Sequence, residues 1–130
     1  MQLTWKRISL GVLTGALALG LAACGGGAAP TAAPTSAGNA ANGQTLYQGT
    51  CSACHGPEAT GVVGLGKDLT SSTFVAERTD AEMVEFMKTG RPASDPLNTT
   101  GVDMPPRGGN PVLTDANLAD IIAFLRSIHK

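Results

Sequence analysis

Cys51-Ser52-Ala53-Cys54-His55 is the stretch of this 130-residue chain on which its reading turns. Positions i, i+3 and i+4 share a face of a helical turn, so both thiols and the imidazole point the same way. This is the c-type haem attachment spacing. The two thiols can meet the two vinyl groups at one porphyrin edge while His55 projects towards the iron, and thioether bonds make the cofactor impossible to lose by dissociation. Rival uses of the same residues are weaker. A zinc site needs four ligands, and the chain offers no second Cys-x-x-Cys and no His pair at finger spacing. A thioredoxin-like thiol pair needs a βαβ setting that is missing. A structural disulfide would close a loop too short to gain much.

On either side of the motif the pattern is helical. Upstream, Asn39 is placed as an N-cap for a helix through Gly49 that carries Gly43, Leu46 and Tyr47 on one face. Gly43 in mid-helix costs about 1 kcal/mol against Ala, which points to a close approach by another backbone. Downstream, Thr79-Asp80-Ala81-Glu82 forms a capping box ahead of Met83, Val84, Phe86 and Met87, with Gly90 as the stop. Thr114 caps the last helix, where Leu118, Ile121, Ile122 and Leu125 follow the i, i+3, i+4, i+7 rule and Phe124 and Ile128 widen the stripe. No alternating strand pattern and no internal repeat appears, so the domain is predicted to be mainly helical with long loops.

The N-terminal third is different. Lys6 and Arg7 precede an apolar run of sixteen residues, Ile8 to Ala23, which ends in small residues and falls short of the roughly 20 needed to cross a bilayer as a helix. It reads as an export signal, residues 1–23, that is cleaved. Residues 25–38 contain no charge and only small residues or proline, and cannot bury enough apolar surface to fold. As a flexible coil these 14 residues would span on the order of 20 Å on average and 45 Å stretched. Without Lys6 and Arg7 the chain keeps seven Lys and Arg against ten Asp and Glu, a net −3 before any cofactor charge, and no basic patch. Nucleic-acid partners are excluded on that ground. Trp5 leaves with the signal, so only Tyr47, Phe74, Phe86 and Phe124 remain as aromatics, a thin core that a large flat cofactor would complete.

Two resemblances follow from these residues. Leu21-Ala22-Ala23-Cys24 resembles the lipobox of bacterial lipoproteins, which implies that Cys24 receives a lipid and becomes the first residue, and that residues 24–38 are a lipidated tether. Ordinary signal cleavage beside an incidental cysteine and an uncleaved anchor are the alternatives. Residues 39–130 resemble a class I cytochrome c. That likeness implies an all-α fold in which the N- and C-terminal helices pack together around one covalently bound haem c, held by Cys51 and Cys54, with Gly43 and Tyr47 facing Ile121 and Phe124. It also places the axial ligands of the iron: His55 on one side and, on a loop before the final helix, the methionine of Met104-Pro105-Pro106 on the other.

Proline after Met104 biases that residue to an extended backbone and stiffens its loop. A thioether opposite imidazole raises the potential of the iron. Met83 and Met87, four apart on a capped helix, suit core packing, and His129 suits a helix C-terminus. One departure from the family is Gly66-Lys67-Asp68-Leu69, which puts Lys67 where a proline commonly offers its carbonyl to the axial histidine. Any residue can supply a carbonyl, but proline's stiffness is lost. Two further stretches carry no function: Gly61 to Lys67 lacks the Ser or Thr of a phosphate-binding loop, and Asn98-Thr99-Thr100 is a glycosylation sequon without meaning beside a bacterial lipobox. Asp80, Glu82 and Glu85 read as a solvated helix face.

The function these features imply is transfer of one electron at a time between respiratory or photosynthetic redox partner proteins, without enzymatic chemistry, by an exported cytochrome tethered to the extracytoplasmic face of a bacterial membrane. A second expectation is a fixed haem subunit among the integral membrane subunits of a quinol-oxidising assembly of the alternative complex III type. A third, from another class, is a haem peroxidase or gas sensor with an open sixth position, against which Met104 argues.

Overall fold

The computed structural model describes residues 38–130; the expected signal, Cys24 and the tether up to residue 37 lie outside them. Five α-helices and one 3₁₀ turn make up the described fold: α1 (Ala40–Thr50), α2 (Ser52–His55), α3 (Thr73–Glu77), α4 (Asp80–Thr89), the turn Pro106–Gly109, and α5 (Asp115–Ile128). Among the described residues the only β-pairings are two isolated bridges, Val62 with Gly66 and Arg91 with Met104.

The predicted caps are present. The Asn39 side chain accepts the N–H groups of Ala41 and Asn42, and Thr79 with Glu82 and Thr114 with Asn117 form complete capping boxes. Asp120 of α5 accepts from the Asn39 N–H and the Asn42 amide, each at 2.7 Å. That carboxylate therefore sits at the positive end of α1 and ties it to α5.

The α1–α5 crossing explains Gly43. A Cβ there would lie 1.9 Å from the Asp120 carbonyl oxygen and 2.9 Å from the Ile121 nitrogen, so the two backbones touch. Their contact brings the Tyr47 ring against Phe124, with centroids 5.3 Å apart, as expected. Tyr47 is fully buried and its hydroxyl donates to the Gly56 carbonyl at 2.7 Å, which locks the segment after the Cys-x-x-Cys-His motif onto the helix pair. Burial holds the Tyr47 phenol well above its ordinary range, so it stays a donor at any physiological pH.

Around this pair lies the core: Val75, Met83, Met87, Leu118, Ile121, Ile122 and Leu125 are all buried. Arg126 on α5 donates to the carbonyls of Val75 and Arg78 and to Asp80 Oδ1, fastening α3 and α4 to the last helix. The acidic stretch on α4 is thus more than a solvated face. Asp80 is an inter-helix partner, Glu82 closes the cap, and Glu85 pairs with Lys88 at 2.7 Å. Gly38, expected to be the last residue of the tether, lies against α5: a Cβ there would be 2.2 Å from the Ala119 carbonyl oxygen. No helix among the described residues is long and apolar enough to cross a membrane.

Candidate functional site

The end of α1 turns directly into the motif. Cys51 is the C-cap of α1, its carbonyl accepts the N–H groups of Cys54 and His55 at 3.1 and 3.0 Å, and the Ser52 hydroxyl donates to the Gln48 carbonyl at 2.7 Å. This single turn presents Cys51, Cys54 and His55 to one cleft of about 400 Å³. Met104 and Pro105 line the same cleft from the far side of the chain, with Leu65, Leu69, Phe74 and Phe86 among its apolar walls. The expected donor set is therefore gathered in one place. Met83 and Met87 are in the core instead, and the His129 ring lies 3.1 Å from the Ser72 carbonyl; none of the three lines the cleft.

His55 is oriented from behind. Its Nδ1 lies 2.8 Å from the Lys67 carbonyl oxygen, and because a carbonyl can only accept, Nδ1 carries the proton and Nε2 keeps its lone pair for a metal. Lys67 thus supplies the carbonyl that a proline commonly offers. The stiffness has another source, which is Asp68. Its Oδ1 accepts from the Thr70 N–H and hydroxyl, each at 2.7 Å, and its Oδ2 from the Ser71 hydroxyl at 3.1 Å. The bond from the Leu69 N–H to the Ala59 carbonyl, 2.8 Å, pins the same segment to the loop that follows α2.

The hydrogen bonds from Thr70, with a smaller contribution from Ser71, hold the Asp68 carboxyl below the usual carboxylate range. A carboxyl with a depressed pKa in the folded state stabilises it above the unfolded value, near 3.9, and loses that contribution as pH falls through the folded value. Asp68→Ala is expected to lower the melting temperature at pH 7, and by less at about pH 3, because the gap to the parent narrows as pH falls from the unfolded value towards the folded one. Thermal melts at the two pH values measure this, and an equal gap at both would refute it.

Met104 is held by its backbone. It forms a two-way bridge with Arg91, the Arg91 N–H donating to the Met104 carbonyl and the Met104 N–H to the Arg91 carbonyl, both at 2.8 Å. Gly90 lies directly beneath: with φ +74 it adopts a conformation that favours glycine, and a Cβ there would stand 2.2 Å from the Met104 carbonyl oxygen. Beyond Pro105 and Pro106 the chain turns through Arg107 at φ 55, whose guanidinium bonds to the Leu113 carbonyl at 2.5 Å and Asp115 at 2.8 Å. Lys88 reaches the same Asp115 at 3.1 Å, so α4, the turn and the start of α5 share one charge cluster.

The chemistry of the cleft fits a covalently held haem. Two thiols, one imidazole with a free Nε2 and one thioether line it, and no group of three or more His, Cys, Asp or Glu among the described residues is arranged to hold a bare metal ion. Burial, with a smaller contribution from Cys54, pushes the Cys51 thiol up to about 11, so before attachment it is a protonated thiol at neutral pH. Sequence reasoning did not find Arg91 or Asn98. The Asn98 side chain donates to the carbonyls of Pro92 and Val102 and accepts from Thr100 and Gly101, organising the loop ahead of Met104. A sequon match was its only local signal. Nothing in the sequence near Arg91 marks it.

Similarity to known proteins identifies the family. The Cytochrome c family model matches residues 40–129. Cytochrome c-555 from Prosthecochloris aestuarii is 32% identical over 87 residues, which cover 65% of this chain and 83% of that protein. Cytochrome c-555 from Chlorobaculum thiosulfatiphilum is 28% identical over 87 residues, covering 67% and 93%. Among solved structures, cytochrome cL from Methylophaga aminisulfidivorans superposes with a TM-score of 0.51 at 24% identity over 69% of this chain; the chain spans 53% of that protein's length, and the likeness is one of fold. The match spans the motif, the cleft and both packed terminal helices, and the chain accordingly belongs to the cytochrome c family, as an all-α electron-transfer protein with a covalently attached haem c.

Proposed function

We propose that this protein is an exported, membrane-tethered carrier of single electrons in which Cys51 and Cys54 hold the haem through thioethers and His55 and Met104 are its axial ligands. The observation that carries the assignment is the convergence of these four side chains on one cleft, when the other described methionines are in the core. Bound there, haem supplies a ferric/ferrous couple. The chain supplies the rest: Lys67 fixes the imidazole proton on Nδ1, Arg91 fixes the Met104 backbone, and Phe74, Phe86 and Leu69 keep water from the ring. A soft donor in the sixth position leaves no seat for a peroxide or a gas, which favours a carrier over a peroxidase or sensor.

The tether belongs to the same proposal: cleavage after Ala23, lipid on Cys24, and an uncharged stretch that lets the domain reach partners above an extracytoplasmic membrane surface. Detergent phase separation tests it. The parent protein is expected in the detergent phase and a Cys24→Ala variant in the aqueous phase, whereas identical partitioning of the two would refute lipidation. Recovery as a lone amphiphile in mild detergent supports the free carrier. Co-elution with integral membrane subunits would replace it with a fixed subunit of a quinol-oxidising assembly.

A further inference from the structure

Arg91 is the residue whose surroundings the fold alone does not explain. Its side chain is only 13% exposed, and its Nε is a buried donor with no hydrogen-bond partner. Such orphans are rare, and a charged one is costly. The guanidinium stacks on the Phe74 and Phe86 rings, 4.6 and 4.9 Å from their centroids, so its position is set by apolar walls. Its protein contacts are weak: Nη1 lies 3.5 Å from the Leu97 carbonyl, and Asp95 Oδ2 stands 3.6 Å from Nε, beyond hydrogen-bond length.

The carboxylates around the cleft direct their hydrogen bonds to other donors. Asp95 accepts the Leu97 N–H at 2.7 Å, Asp103 accepts the Ala93 N–H at 2.5 Å, and Asp68 serves Thr70 and Ser71. A second cation, Arg78, stacks on the same Phe74 ring at 3.5 Å. Asp95 thus offers Arg91 an ion pair at 3.6 Å but no hydrogen bond, and the Arg91 Nε–H is left without an acceptor.

Its place relative to the cysteines follows from the chain. A Cβ on Gly108 would lie 2.9 Å from Thr50 Cγ2 and 3.9 Å from Cys51 Sγ, so residues 105–108 run from Met104 to the cysteine edge. Arg91, Leu97, Asn98 and Thr100, on the other side of Met104 in the chain, also line the cleft. Haem carries its two carboxylates on the edge opposite the vinyl groups that take the thiols. We propose that Arg91 is a positioning residue with two attachments: its side chain donates to a haem carboxylate through Nε, and its backbone holds Met104. The inference rests on the proposed seating of haem on Cys51, Cys54, His55 and Met104. It would make one residue tie the far edge of the ring to the loop of the sixth ligand, and the cation would favour ferrous iron.

The test uses the intact ferrous holoprotein, labelled with ¹⁵N-arginine. The Arg91 Nε–H is expected as a slowly exchanging resonance with nuclear Overhauser contacts to the methylene protons of a haem carboxylate arm. An Nε–H that exchanges freely, or that contacts only protein groups, would overturn the proposal, and this readout needs no variant. Arg91→Leu is expected to move the ferric/ferrous equilibrium about tenfold towards ferric, which for one electron is about 59 mV, while the ferric methionine band persists. Arg91→Lys, which keeps the charge, is expected to recover part of that shift. An unchanged potential in Arg91→Leu would also overturn the proposal. Failure of the underlying haem seating is separately visible, as a parent protein lacking the methionine band.

Discussion

Gly43→Ala is expected to destabilise the holoprotein by about 3 kcal/mol, the upper end of the cost of overpacking, because the new Cβ meets backbone that cannot step aside. The Cβ position lies 1.9 Å from the Asp120 carbonyl oxygen, so α1 and α5 would have to separate by about an ångström. Separation loosens the Tyr47–Phe124 contact and the bonds from Asp120 to Asn39 and Asn42 together. Helix propensity acts in the opposite direction, since alanine is favoured over glycine by about 1 kcal/mol in a helix interior. The two effects differ in sign, and the backbone contact is the larger. For a domain of this size the loss corresponds to a melting temperature lower by roughly 12 °C or more. A variant that melts at or above the parent temperature would show that α1 and α5 are not in backbone contact at this point.

Met104→Ala is expected to lower the midpoint potential by on the order of 100 mV or more, a modest part of the roughly 0.8 V over which axial ligation sets haem potentials. The reason is the absence of a substitute. Met83 and Met87 are buried among the core side chains, and the His129 ring is occupied at Ser72, so no described side chain of comparable softness stands ready to replace the thioether. The reduced variant is therefore expected to bind carbon monoxide rapidly while the parent does not. Global folding should change little, because Met104 is held through its backbone bridge with Arg91 and by the prolines that follow, which the substitution leaves in place. A variant with the parent potential that also refuses carbon monoxide would contradict the assignment.

Much of the architecture is legible in the residues. The caps Asn39, Thr79 and Thr114 announce α1, α4 and α5, the apolar stripe of α5 identifies the buried face, and the unfavourable glycine at 43 signals the crossing. The motif and the Met104-Pro105-Pro106 segment likewise indicate which side chains share the cleft. Less visible is α3: five residues are too few to show a period, and its Ser72 cap is one of many serines and threonines in that stretch. The turn at Arg107 and Gly108 is hidden for another reason, since an arginine with positive φ leaves no mark in composition and is held there by Leu113 and Asp115. Arg91 is legible only in three dimensions. Its role depends on two phenylalanines from different helices and on an acceptor missing from the protein, neither of which has a sequence spacing.

The proposed ligation of haem iron by His55 and Met104 is tested most directly by the ferric absorption spectrum of the matured protein, recorded beside that of Met104→Ala. A low-spin parent spectrum with the long-wavelength methionine-to-iron charge-transfer band, and a variant spectrum without it, is the predicted result. A band absent from both proteins, or one that persists in the variant, would contradict the assignment.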